Sequence, residues 1–222
     1  MKQIRFILSK PAKKTGQCAS RFWGNPDLPP GYGYPEYVDE DGDICEYRFI
    51  CQINLAEIAD LDLDRLLPHK GLLSFFARID RYLGDFEALN GISGYISDPE
   101  DVKVLYFPEA GLPGEDSGFR ELVLVDEDDV QVNPEELRID FAADKPEDCY
   151  DDHALLAPPY YREWETWDPP FEDWEILLQV DSFSGEDFNL NFMDCGVLDF
   201  LISPEDLAAS RFDRVRAIVL ST

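Results

Sequence analysis

Residues 47–76 and 174–202 follow one pattern, and this repetition limits the fold more than any other feature of the chain. The first stretch runs Phe49-Ile50-Cys51-Gln52-Ile53-Asn54 and then Gly71-Leu72-Leu73-Ser74-Phe75-Phe76. The second runs Ile176-Leu177-Leu178-Gln179-Val180-Asp181 and then Gly196-Val197-Leu198-Asp199-Phe200-Leu201. Gln52 and Gln179 are 127 positions apart, Gly71 and Gly196 125 apart, so the register holds to within two residues. Self-similarity of this kind marks a duplicated structural unit. Period-two alternation puts Ile50, Gln52 and Asn54 on one strand face, and Phe49, Cys51, Ile53 and Leu55 on the other.

Further strands are expected at 4–8, 72–79, 102–107, 119–125, 137–141, 197–202 and 214–220. Residues 55–67 carry leucine spacing that suits a short helix or turns ended by Pro68. Ser203-Pro204-Glu205-Asp206 predicts an N-cap and a short helix through about Ser210. Pro146, Pro158, Pro159, Pro169 and Pro170 interrupt residues 142–173, the best place for a connection. The expected architecture is therefore α+β and β-rich, with two pseudo-repeated, mostly antiparallel sheet units and few short helices. One compact domain spans 1–222, its halves about 1–141 and 142–222.

Charge is the compositional outlier. Forty-seven acids against nineteen bases give a net charge of −28. Such a surface repels nucleic-acid phosphates and anionic lipid and attracts basic proteins over a distance. Residues 1–26 run against this trend, with six Lys or Arg side chains and no acid; this lead is expected to pack against the acidic body. No apolar run approaches the length of a membrane span. Five cysteines without a CxxC pair argue against a disulfide framework or zinc site, and fit a cytoplasmic protein.

No catalytic signature emerges. Gly91-Ile92-Ser93-Gly94 is not a nucleophile elbow, no phosphate-binding glycine loop occurs, and His69 and His153 are the only histidines. Asp39-Glu40-Asp41-Gly42-Asp43 resembles a calcium loop, but the flanking ligand positions fall on Tyr37 and Arg48. No cofactor or metal is implied. The aromatic residues Tyr160, Tyr161, Trp164, Trp167, Phe171 and Trp174 are interleaved with acids. They read either as a lid packing the sheet or as a surface for a cationic partner.

Arg21-Phe22-Trp23-Gly24-Asn25-Pro26-Asp27-Leu28-Pro29, the Gln52 strand, Leu67-Pro68-His69-Lys70-Gly71-Leu72-Leu73-Ser74-Phe75-Phe76, Leu155–Pro159 and the Gln179 and Gly196 segments together resemble the YwqG-like family, a bacterial domain of unknown function. Trp23 stands where that family usually has glycine, as does Ala157, and Cys195 replaces a small residue. The resemblance implies a mostly β structure and no activity.

Two functional readings follow. One is a non-enzymatic interaction module, a monomer or weak dimer, whose acidic, aromatic surface with Trp164, Trp167 and Trp174 meets a basic partner, for instance in toxin neutralisation. The other is a small-molecule binder or enzyme with a polar cleft between the halves, lined by Gln52, Asn54, Gln179, Asp181 and Asp194.

Overall fold

The computed structural model describes residues 3–39, 41–79, 95–110, 118–145, 147, 151–159, 167–184, 189–190, 192 and 195–220. Its strands in chain order are β1 (Ile4–Ser9), β2 (Arg21–Phe22), β3 (Asp27–Leu28), β4 (Glu36–Val38), β5 (Ile44–Glu46), β6 (Arg48–Asn54), β7 (Leu72–Ala77) and β8 (Val102–Phe107). They continue with β9 (Arg120–Glu121), β10 (Leu137–Ala142), β11 (Ala154–Leu155), β12 (Glu175–Asp181), β13 (Phe183–Ser184), β14 (Asn189–Leu190), β15 (Val197–Ile202) and β16 (Arg216–Leu220). Ten of them form one antiparallel sheet in the order β16-β15-β12-β11-β1-β10-β2-β6-β7-β8, and the remaining six pair as short ribbons.

The expected α+β class is corrected to a β fold. Among the described residues the only α-helix is α1 (Pro204–Ala208), capped by Ser203, whose side chain accepts from the Asp206 N–H. Residues 55–67 form turns rather than a helix. Asn54 Oδ1 takes the Ala56 N–H and the Asp62 carboxylate takes those of Leu66 and Leu67, so side chains occupy donors a helix would need. The expected strand at 119–125 shrinks to β9, which pairs with β3, followed by one bridge at Val125.

The two ends of the long sheet approach each other. Ser97, just before β8, donates its N–H to Ala217 O (2.7 Å) and accepts the Ala217 N–H on its hydroxyl (2.8 Å), and Ala217 lies on β16. Tyr106 of β8 meets Phe212, in the turn before β16, edge to face at 5.4 Å. The sheet thus curls into a nearly closed, barrel-like form. Phe6, Phe22, Ile53, Phe75, Leu178 and Phe200 fill its interior, and the rings of Phe75 and Phe200 meet at 5.3 Å.

Strands β6 and β12 are buried on both faces. On the outer face Tyr34, Tyr37 and Tyr47 cover Phe49 and Phe76, while Trp167, Phe171 and Trp174 cover Ile176 and Leu201. The two strands also share a defect. Pairing with β7 slips between Phe49 and Cys51, and pairing with β15 slips between Ile176 and Leu178. Each slip is a β-bulge, which re-aims the side chains before it. It explains why the expected alternation fails: Ile50, Cys51 and Ile53 all join the inner core, whereas Phe49 joins the outer cluster.

The bulged residues have a use. Ile50 O accepts the Trp23 N–H (2.8 Å) and Leu177 O accepts that of Leu156 (3.0 Å). Trp23 and Leu156 are held in the left-handed region, at φ +56° and +52°, which is costly for bulky side chains. Glycine at position 23, as in the family resembled, would adopt it freely. The tryptophan is retained in the core at 2% exposure.

Gly71 and Gly196 open β7 and β15 against neighbouring backbone. A Cβ at Gly71, which has φ +87°, would sit 2.6 Å from Phe107 O; at Gly196 it would sit 2.1 Å from Leu220 O. Nothing lies within 4 Å of a Cβ built at Gly16 or Gly33. Gly71→Ala and Gly196→Ala are each expected to destabilise by about 3 kcal/mol in urea titrations, against little change for Gly16→Ala or Gly33→Ala.

Candidate functional site

The sequence nominated a set of polar residues on β6 and β12. Gln52 is fully buried. Its Oε1 accepts the Asp27 N–H (2.9 Å), and its Nε2 donates to Ala19 O and to Asp27 Oδ2 (both 2.8 Å). Asp27 Oδ2 also takes the Cys18 N–H (2.8 Å) and the Arg21 guanidinium, which reaches Glu136 on its other side (3.3 Å). Arg21 and Asp27 are 1% and 2% exposed, so this is a buried ion pair whose acceptor is saturated by hydrogen bonds.

Asn54 is spent locally, donating to Cys18 O and accepting from Ala56. Gln179 Nε2 donates to Asp152 O (2.8 Å). The Asp181 carboxylate takes the N–H groups of Asp152 and Ser182, while its own N–H donates to His153 Nδ1 (3.0 Å). Burial pushes the Asp181 pKa up, and the two backbone donors pull it partly back. These four side chains therefore fasten the segments 18–27 and 152–153, which contain β2 and lead into β11, to their neighbours β6 and β12. Asp194 and Trp164 lie outside the described residues. Trp167 is 6% exposed and donates to Trp174 O (3.1 Å), and Trp174 packs against Phe171 at 4.9 Å. Both tryptophans belong to the cluster that covers Ile176 and Leu201.

A groove of about 380 Å³ opens beside β10, lined by Thr15, Gly16, Ser20, Glu57, Arg138 and Asp140 among others. None of the nominated residues lines it. Its polar groups are largely engaged: Thr15 with Glu136, the Ser20 hydroxyl with the Asn54 N–H, Arg138 with Asp140 at 2.5 Å.

The basic lead binds the acidic body as expected. Arg5 pairs with Asp152 (2.5 Å), Lys10 with Glu135 (3.3 Å), Lys14 with Glu121, and Arg21 with Asp27 and Glu136.

The acidic turns prove to be self-contained. Asp39 Oδ1 accepts the N–H groups of Asp41 (3.0 Å) and Asp43 (2.8 Å), while Asp39 N donates to Asp43 O and Gly42 N to Asp39 O. Asp126 repeats the arrangement: Oδ1 accepts from Asp128 and Val130 (both 2.9 Å), Asp126 N donates to Val130 O, and Asp129 N to Asp126 O. Gly42 and Asp129 both take positive φ, +89° and +60°. The backbone donors, that of Asp43 first, hold the Asp39 carboxyl below its usual range. What resembles a calcium loop in sequence is a carboxylate spent on its own turn.

Sequence reasoning missed the apolar residues these turns carry. Val38 and Ile44 flank the first turn at 65% and 69% exposure; Val123, Val125 and Val130 surround the second at 48%, 46% and 59%. The alternation of single valines with acids was the available signal.

A family model, Domain of unknown function (DUF1963), matches residues 20–219, and the chain belongs to that family. No curated protein matches it.

Two predictions follow from the geometry. Gln52→Leu strands the Asp27 N–H and Ala19 O and is expected to cost about 2–4 kcal/mol in denaturant titrations. His153 is 1% exposed, and burial lowers its pKa from 6.5 to about 4, with Asp152 opposing. Between those values the unfolded chain holds the extra proton. The contribution is therefore complete above about pH 6.5 and is lost as pH falls toward 4, about 3 kcal/mol at most. His153→Gln keeps an acceptor for Asp181 and should flatten that part of the stability–pH curve relative to wild type.

Proposed function

We propose that this protein is a non-enzymatic interaction module that recognises a basic protein partner. The observation that carries this reading is the uncompensated charge. The net charge is −28, and Arg5, Lys14, Arg21, Arg138 and Lys145 are each already paired with an internal carboxylate. Long-range attraction to cationic surfaces raises association rates and selects partners by sign. Neutralisation of a basic toxin such as a nuclease suits this chemistry. The competing small-molecule reading loses support, because Gln52, Asn54, Gln179 and Asp181 spend hydrogen-bonding groups on neighbouring backbone. The immobilised protein should retain a set of proteins at ~20 mM salt and release it by ~200 mM. That set should be more basic than the one held by an unrelated protein of equal net charge; an equally basic set overturns the reading.

The YwqG-like reading is supported by position, since every segment that carries that resemblance falls within the matched range 20–219. We also infer that the ten-stranded sheet is one five-stranded unit used twice, with first strands exchanged. β1, β2, β6, β7 and β8 correspond to β10, β11, β12, β15 and β16, so that β1 lies against β11 and β10 against β2. The second unit then starts at Leu137. Support lies in matched details: the two bulges, the left-handed Trp23 and Leu156, and Gln52 and Gln179 donating to Ala19 O and Asp152 O. Asn54 N and Asp181 N likewise donate to Ser20 Oγ and His153 Nδ1. The approximate twofold axis passes the Ile7–Asp140 pair and the Phe75–Phe200 contact. This reading requires Gly71→Ala and Gly196→Ala to be comparable lesions; a cost confined to one of them would sink it.

A further inference from the structure

We propose that the outward face of the β4–β5 ribbon, formed by Glu36, Val38, Ile44 and Glu46, is the docking face for an extended segment of the basic partner, one that carries a lysine or arginine two residues from an aliphatic side chain. The inference rests on the basic-partner reading and deepens it by naming the place and the segment.

The register defines the face. Glu36 stands opposite Glu46, Tyr37 opposite Cys45 and Val38 opposite Ile44. Side chains alternate along a strand, so the Glu pair and the Val–Ile pair share one face and Tyr37 and Cys45 the other. The inner face is tied to the body. Tyr37 packs on Tyr47 at 5.0 Å, the Arg78 guanidinium lies 4.7 Å over the Tyr37 ring, and Lys103 lies 5.3 Å over Tyr47. Those nearby cations are thus occupied with aromatic rings.

The outer face is unfavourable as it stands. Like charges directly opposite each other on adjacent strands repel, and no ion pair to Glu36 or Glu46 is found among the described residues. Beside them Val38 and Ile44 have the barest aliphatic surface of the strand-paired residues among those described, at 65% and 69% exposure. A cation between the carboxylates and an aliphatic group on the Val–Ile pair would relieve both features at once. In an extended chain, residues i and i+2 project to the same side and match this spacing. The ribbon is also preorganised, because the Asp39 turn closes it with two carboxylate hydrogen bonds and its stem is held by the tyrosine cluster. The comparable ribbon around Asp126 differs. Val123 and Val125 share a side there, but Gln131 rather than an aliphatic residue stands opposite Val125, and the acid on that side, Glu121, is already paired with Lys14.

The test uses the full chain and two fluorescein-labelled peptides. One repeats lysine and leucine at i and i+2 with threonine between them; in the other, serine replaces leucine. The wild-type protein should bind the leucine peptide about tenfold more tightly than the serine peptide in low salt. Val38→Ser/Ile44→Ser, both exposed, should remove that difference without lowering the melting temperature. Glu36→Gln/Glu46→Gln should weaken both peptides while raising the melting temperature. Equal binding of the two peptides, unchanged by Val38→Ser/Ile44→Ser, overturns the docking face and leaves the charge reading standing. Failure of both peptides to bind at low salt overturns the docking face and the charge reading together.

Discussion

The ladder between β1 and β10 is the constraint on which the rest of the structure depends. It joins residues from the start of the chain to residues beyond its midpoint, from Arg5 opposite Ala142 to Ser9 opposite Arg138. Without it the ten-stranded sheet would be two separate open sheets, each with an unpaired edge and half an interior. Closing so long a loop is entropically expensive, and the cost is offset only when both flanks of the ladder are in place. β11 and β2 supply those flanks through two-residue pairings, and they do so because the segments behind them are fastened down.

Buried polar groups do that fastening. Gln52 and Gln179 lie on the outer side of their strands, where a leucine would pack as well but could not hold a crossing segment in register. A glutamine offers both donor and acceptor, and each donates to the backbone of the segment that crosses it. Beside β6 the scheme extends to a buried Arg21–Asp27 pair, with Arg21 opposite Gln52; beside β12, Ala154 stands opposite Gln179 and His153 Nδ1 accepts the Asp181 N–H. Similar backbone geometry is therefore reached beside β6 with a buried ion pair and beside β12 with the partly buried pairs of Asp152 with Arg5 and Lys145.

Much of this architecture was legible in the chain, and what was not has physical reasons. β6, β7, β12 and β15 were readable because strands buried on both faces produce dense apolar runs. α1 was readable because Ser203-Pro204 is a local signal. The two-residue strands β2 and β11 left no periodic trace, being defined by their partners rather than by their own residues. The bulges escaped because an extra residue is invisible to a strict period of two, and they moved Ile50 to the opposite face from Gln52. The nominated glutamines were recognised as special, but sequence could not decide between a cleft and a staple, since both need the same amide. The exposed Val38 and Ile44 were overlooked because isolated aliphatics among acids resemble ordinary loop sequence.

The closed turns at Asp39 and Asp126 bear on how long such a surface survives. A peptidase generally has to draw its substrate into an extended conformation before it can cut. At these two turns that means breaking a paired set of carboxylate and backbone hydrogen bonds first, although residues 41–43 and 126–130 are exposed. Segments rich in aspartate and glycine are ordinarily among the easiest to nick. Here the aspartate that opens each loop also locks it, so two exposed turns carry their own brace.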